Sequence, residues 1–134
     1  MQMTLREVVH AHIPVLTIDS TVRDAVDKMD VYQFPALVIV DEESMPIGVL
    51  TEGDICRAVT QQDNLVGMAV EAAYPYATKM PTTATADTEI SEAFHKMIMS
   101  GLTLLPVTDL GRLVGVVLRV DLMQAMLLDL QATQ

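Results

Sequence analysis

The chain is written twice. Pro46-Ile47-Gly48-Val49-Leu50-Thr51-Glu52-Gly53-Asp54-Ile55 lies over Leu113-Val114-Gly115-Val116-Val117-Leu118-Arg119-Val120-Asp121-Leu122. Gly48 thus falls on Gly115, Asp54 on Asp121 and, further on, Ala58 on Ala125. Earlier in each copy, Thr17-Ile18-Asp19 falls on Thr85-Ala86-Asp87, Ala25 on Ala93, Met29 on Met97, and Leu37 to Asp41 on Leu105 to Asp109. One register, with a residue deleted in the second turn, accommodates all of this. Such a repeat dictates architecture: one supersecondary unit is built twice, and neither copy buries its apolar face alone.

Each copy reads as β-α-β-β-α. A short β-branched strand (Val15 to Ile18, Thr82 to Ala86) runs into a polar start, Asp19-Ser20-Thr21 or Asp87-Thr88-Glu89, whose side chains can accept the free amides of a helix's first turn. The helix that follows is amphipathic, with Val22, Ala25, Val26 and Met29 on its apolar stripe in one copy and Ile90, Ala93, Phe94, Met97 and Ile98 in the other. A buried strand comes next (Ala36 to Val40, Leu104 to Thr108), then a turn (Asp41-Glu42-Glu43-Ser44, Asp109-Leu110-Gly111-Arg112) and a second strand through Gly48 or Gly115. The last helix of each copy starts near Asp54 or Asp121. The repeat boundaries are set at 1–62 and 80–134, with 63–79 as connector and a short helix expected over Val66 to Ala73. The tail helix from Asp121 to Leu130 is apolar nearly all round, which calls for cover on every side and hence for a second copy.

Composition narrows the function. Hydrophobic residues make up 51% of the 134, enough for a sizeable core and too many for a disordered chain. A net charge of −10, no basic run and no Trp disfavour nucleic acid as a partner. The apolar stretches are far shorter than the roughly 20 residues a bilayer span needs, and Met1 to Glu7 has no apolar signal core. A lone cysteine, Cys56, rules out an intrachain disulfide and fits a reducing cytoplasm.

Thr51-Glu52-Gly53-Asp54 is the segment with most chemistry. Thr51 ends a strand and Asp54 opens a helix, so free amides and a hydroxyl together suit an anion, and the carboxylate can accept both hydroxyls of a ribose. The same residues also spell a near-capping-box, Thr51 serving the cap and Asp54 reaching back to it, and this alone would account for both. In the second copy Leu118 replaces the threonine while Asp121 remains, so a phosphate is held less well there. The cations available for a phosphate are Lys79, Arg57, Arg119 and Arg112, and the sequence positions none of them.

Elsewhere the signals are bland. His10 and His12 alternate on what reads as a strand and could share a metal, but no third ligand is evident, so the pair is read as surface or rim. His95 reads as solvated, Cys56 as a buried inert thiol, and the ten methionines as adaptable packing. No nucleophile with an assigned base, glycine-rich phosphate loop or metal set is found, so no catalytic residue is named and the chain is not read as an enzyme.

Two β-α-β-β-α copies, each closing on Gly-hydrophobic-hydrophobic-x-x-x-Asp, resemble the tandem cystathionine-β-synthase (CBS) repeats called a Bateman module, over nearly the whole chain, and a stand-alone version is expected. The resemblance implies an α/β (α+β) fold in which pseudo-twofold-related repeats pack sheet to sheet and form two clefts. It implies a regulatory ligand, an adenine nucleotide or nucleoside (AMP, ADP, ATP or S-adenosylmethionine), with no cofactor required. It also implies a homodimer, built through helices, that acts on a separate target protein. Carried onto this sequence, one cleft would join Thr51 and Asp54 to Met80, Pro81, Thr82, Leu102, Thr103 and Leu104. The other, weaker one would join Asp121 to Ile13, Pro14, Phe34, Pro35 and Ala36. Apolar side chains there would sandwich a purine, or else simply pack as core. The alternative is a ligand-free interaction module, favoured by Leu118 and by the scarcity of basic residues.

Overall fold

The computed structural model of the chain describes residues 3–62 and 64–132. Packing divides it into two units, Pro14–Pro81 and Met1–Ile13 with Thr82–Gln134, here called the first-copy and second-copy units. The first-copy unit contains β1 (Val15–Leu16), α1 (Val22–Tyr32), β2 (Ala36–Val40), β3 (Pro46–Thr51), α2 (Glu52–Gln62), the single turn α3 (Leu65–Met68) and β4 (Thr78–Lys79). Its sheet runs β1-β2-β3-β4, with β1 parallel to β2 and the other pairs antiparallel. The second-copy unit contains β5 (Ala84–Thr85), α4 (Ile90–Ser100), β6 (Leu104–Asp109), β7 (Arg112–Leu118) and α5 (Arg119–Ala132). Its sheet runs β5-β6-β7, again parallel then antiparallel.

The repeat register becomes a packing register. The first core gathers Val22, Ala25, Leu37, Ile39, Leu50 and Ile55. The second gathers their counterparts Ile90, Ala93, Leu105, Val107, Val117 and Leu122. Each fully buried aliphatic side chain among them is worth about 1.5–3 kcal/mol of transfer free energy. Helix period puts Val22 and Ala25 on one stripe of α1; strand period puts Leu37 and Ile39 on one face of β2.

The segment that precedes each copy in sequence completes the other copy in space. Leu5 is wholly buried in the second core. Around it, the Leu5 amide donates to Thr88 O at 2.9 Å, Arg6 to Ala86 O at 2.9 Å and Ile90 to Met3 O at 3.1 Å. His10 pairs antiparallel with Val116. In the first-copy unit the connector has these roles: the Val22 amide donates to Glu71 O at 2.9 Å, Ala73 to Ser20 O at 2.8 Å, and β4 pairs with β3 through Gly48–Lys79 and Val49–Thr78. Residues 3–13, here called the strap and grouped with the first copy by the sequence division at 62, therefore pack with the second. At the start of α4, Glu89 at the N-cap makes no side-chain bond, and the Met3 carbonyl takes the Ile90 amide.

Caps and turns account for the remaining boundaries. Thr21 caps α1 in a full capping box with Asp24, at 3.1 Å from the Asp24 amide and 2.9 Å back to Asp24 Oδ2. Gln33 and Gly101 close α1 and α4 in left-handed conformation, with φ of 58° and 62°. Leu110 and Gly111, at φ of 53° and 82°, make the two-residue turn between β6 and β7, where the shorter copy needs positive φ twice. The expected helix over Val66 to Ala73 is instead the one turn of α3 followed by a 3-10 turn at Tyr74–Tyr76. α5 buries Leu122 and Ala125 and leaves Met123, Met126, Leu127 and Leu128 open to solvent; the side chain of Leu130 lies outside the described residues. Among the described residues no helix is long and apolar enough to cross a membrane.

Candidate functional site

Thr51 is the last residue of β3, and its partner in the sheet is Ala36, the first of β2. The chain turns directly into α2, and the Glu52 amide donates to Pro35 O at 2.9 Å. Both arms of the capping box form: the Asp54 amide donates to Thr51 Oγ1 at 3.0 Å and the Thr51 amide to Asp54 Oδ2 at 2.9 Å. Three amides at this corner are thereby satisfied internally. The Thr51 hydroxyl accepts from Asp54, and its own proton remains available to a ligand.

A cation completes the cluster. Arg57, one helical turn after Asp54, donates from Nη2 to Asp54 Oδ1 at 2.6 Å. Arg57 is 71% exposed and Asp54 13%, so the acid is fixed in the fold while the base is held only at its tip. Gly53 opens the space between these groups. A Cβ there would meet Arg57 Nη1 at 3.3 Å and Thr51 Oγ1 at 3.6 Å. Guanidinium and hydroxyl therefore flank one point above the glycine. The other cations named from the sequence lie elsewhere. Lys79 donates to Pro75 O and Ala77 O at 3.0 and 3.3 Å and lies over the Tyr74 ring. Arg112 opens β7 opposite Asp109, and Arg119 is exposed at the start of α5.

The second copy repeats half of this. The Leu118 amide donates to Asp121 Oδ2 at 2.8 Å, but no hydroxyl answers the Asp121 amide. Asp121 takes its second contact from far along the chain: His10 Nε2 lies 2.9 Å from the same Oδ2. His10 is brought there by its backbone pairing with Val116, at 2.9 and 3.1 Å. That approach needs Gly115, where a Cβ would overlap the His10 carbonyl oxygen. His10 therefore serves Asp121 in this structure, and no group of three metal-ligating side chains exists among the described residues. His12 is exposed.

The other candidate residues fall as follows. Met80 and Pro81 belong to the first-copy unit with Thr51 and Asp54. Met80 stands out: it is 93% exposed with a φ of 50°, an unusual combination for a long apolar side chain. Pro14, Phe34, Pro35 and Ala36 are in that unit too, Pro14 and Ala36 buried, Phe34 and Pro35 partly so. Pro35 and Ala36 thus adjoin Thr51 through backbone pairing. Thr82, Leu102, Thr103 and Leu104 belong to the second-copy unit with Ile13 and Asp121. There Leu104 opens β6 opposite Leu118, and Leu102 is tied to α4 through Met97 O at 2.9 Å.

The first-copy unit also contains a cavity of about 470 Å³ between α1 and α2, lined by Val26, Met29, Phe34, Ile55 and Cys56, with Asp30 and Glu52 as its acids and no basic residue. Two carboxylates without a cation make it a poor place for a phosphate. Cys56 is exposed there rather than buried as its sequence context suggested. The buried stripe of α2 is Ile55 and Ala58, and Cys56 is turned about 100° away from Ile55.

Against known proteins, the family profile that matches is that of the CBS domain, over residues 5–61 and again over 72–128. An uncharacterized 17.7 kDa protein of Acidianus ambivalens is 30% identical over 135 residues, spanning 100% of this chain and 79% of the relative. Crystal structures share the fold. CBSX2 in complex with AMP superposes with a TM-score of 0.81 at 19% identity, over 98% of each chain. The CBS domain pair of protein MJ0100, in complex with 5′-methylthioadenosine and S-adenosyl-L-methionine, superposes with a TM-score of 0.77 at 22% identity, over 94% of this chain and 97% of that one.

Proposed function

We propose that this chain, which belongs to the CBS domain family, is a non-catalytic regulatory module of the cytoplasm whose ligand is an adenine nucleotide or nucleoside. One observation carries the reading. In both matched repeats a carboxylate, Asp54 or Asp121, is fixed at the first turn of a helix by the amide three residues earlier, at 2.9 and 2.8 Å. A carboxylate so held presents its remaining lone pairs in a set direction, which suits the paired hydroxyls of a ribose. Neighbours of the same fold complexed with AMP and with S-adenosyl-L-methionine support an adenosyl compound as the ligand class. Regulation then requires only that the ligand favour one arrangement of the protein over another.

Self-association is part of the proposal. Met123, Met126, Leu127 and Leu128 stand open on α5, and a second copy of the chain would remove them from water. The dimer would present its ligand-dependent surface to a separate target protein.

Equilibrium dialysis of the full chain against labelled AMP, ADP, ATP and S-adenosylmethionine tests the reading. Saturable binding of at least one is expected, reduced tenfold or more by Asp54→Asn, which removes the charge that strengthens a hydrogen bond to ribose. Absence of saturable binding by all four would reject it. A second reading, a ligand-free interaction module, is favoured by the engagement of Asp121 with His10 and by the missing hydroxyl at Leu118. It expects a dimer by light scattering whose melting temperature ignores every one of these compounds.

A further inference from the structure

We infer that Arg57 is the residue that makes the first-copy site select a phosphorylated ligand, by exchanging Asp54 for the ligand's phosphate. The inference rests on the nucleotide reading above and adds what that reading leaves open, namely which member of the adenosyl class the site takes. Its basis is geometric. Asp54 is held in the fold by the Thr51 amide, whereas Arg57 reaches it only through Nη2 at 2.6 Å from an otherwise exposed side chain. A ribose that takes the Asp54 carboxylate competes with this contact and releases the guanidinium. The released group need not move far. Its Nη1 already lies 3.3 Å from where a Cβ of Gly53 would sit, and the Thr51 hydroxyl lies 3.6 Å from the same point. A phosphate oxygen above Gly53 would then accept from Thr51 Oγ1 and from Arg57, a planar fork suited to phosphate. No other cation is placed to do this among the described residues of the first-copy unit: Lys79 is turned to the Pro75 and Ala77 carbonyls, Arg23 pairs with Asp27 at 3.4 Å, and Lys28 donates to Val15 O at 2.9 Å.

The second-copy carboxylate has no equivalent. Gln124 stands where Arg57 stands, Leu118 where Thr51 stands, and the partner of Asp121 is an imidazole from the strap. A phosphate gains nothing there, so discrimination between phosphorylated and unphosphorylated ligands is assigned to the first-copy site alone.

Calorimetric titration of the full chain with adenosine and with AMP, for wild type and Arg57→Gln, tests this. Wild type is expected to bind AMP more tightly than adenosine by about tenfold or more, the scale of one charge-assisted hydrogen bond, with the margin shrinking as salt is raised. Arg57→Gln should remove that margin by weakening AMP alone, while adenosine binds as well or better because Asp54 has lost its competitor. Arg57→Lys should recover part of the margin, as a point charge without the fork. Equal AMP affinity in wild type and Arg57→Gln would overturn the inference. So would a parallel loss of adenosine and AMP, which would make Arg57 a mere support for Asp54. Wild type that binds neither compound would instead bring down the nucleotide reading itself, and the selectivity with it.

Discussion

Asp54 and Asp121 occupy the same place in the repeat and are gripped by the same backbone amide, yet their surroundings differ. Asp54 has a reciprocal hydroxyl from Thr51 and a guanidinium from its own helix. Asp121 has no hydroxyl and borrows an imidazole from a residue 111 positions away. Asp54 is thus built from a local segment, whereas Asp121 depends on the strap that brings His10 to β7. A duplicated frame can hold its carboxylates in the same way twice and still offer a ligand two different chemistries.

The glycines beneath these sites sharpen the contrast. Gly48 has ordinary room: a Cβ there would sit 3.4 Å from Ala77 Cβ and from Thr78 O, and 3.5 Å from the Tyr74 ring. Gly115 has none, because the strap's backbone lies where a side chain would start. Gly115→Ala should therefore cost about 3 kcal/mol in urea denaturation, since a backbone must give way, and should free the His10 segment to exchange its amide protons. Gly48→Ala should cost under about 1 kcal/mol, overpacking without a backbone clash. Equal losses would mean that strap and connector pack equally tightly, contrary to the geometry.

The helix starts give the next contrast. Thr51→Ala removes the acceptor of the Asp54 amide and should destabilise by about 1 kcal/mol, the usual effect of losing a capping hydroxyl. Leu118→Thr should run the other way by up to about 1 kcal/mol, since Asp121 already supplies the other half of the box. Thermal melts of both variants check the pair, and a loss in Leu118→Thr would show that the leucine side chain matters more for packing than the missing cap does. Arg57→Ala and His10→Ala should each shift stability by less than about 1 kcal/mol, because Arg57 is a largely exposed ion-pair partner and His10 a half-exposed hydrogen-bond partner. The small size of that effect is what allows ligand binding to be measured on these variants without a folding defect.

Much of this was legible in the sequence, for identifiable reasons. The repeat register predicted which residues meet in each core, because helix and strand periods act locally and the same pattern recurs. The Thr51-x-x-Asp54 spacing announced its capping box. Arg57 was named as a cation without a place, although its position three residues after Asp54 on one helix already puts the two side chains within reach. The His10–Asp121 contact could not be read, since no local rule links residues so far apart. The strap escaped for the same reason: Leu5 looks like an ordinary apolar residue, and no local rule links it to a core built from Ala84 to Ala125. Cys56 is expected to be buried because free cysteines usually are, whereas its helix phase points it away from the core. Which candidates belong to each carboxylate was drawn from family resemblance, not from spacing.

The smallest expected effect separates the two copies at their first helices. In α1, the Thr21 amide first, and the Thr21 side chain next, hold the Asp24 carboxyl below its ordinary range. A carboxyl whose value is lowered by folding contributes stability that is fully present above its unfolded value and is lost as pH falls through the folded one. Acidification below about pH 4 should therefore loosen the start of α1 as Asp24 gains its proton and gives up the Thr21 amide. α4 has no such pair to lose, because Glu89 at its N-cap makes no side-chain bond. NMR titration should place Asp24 below an exposed aspartate in the wild type, and Thr21→Ala, which keeps the backbone amide but removes the side chain, should move it only part of the way back. Protection of the Thr21 amide against exchange should fall with acid while that of Ile90 does not. If both helix starts open together, the first helices of the two copies do not differ in the way their caps indicate.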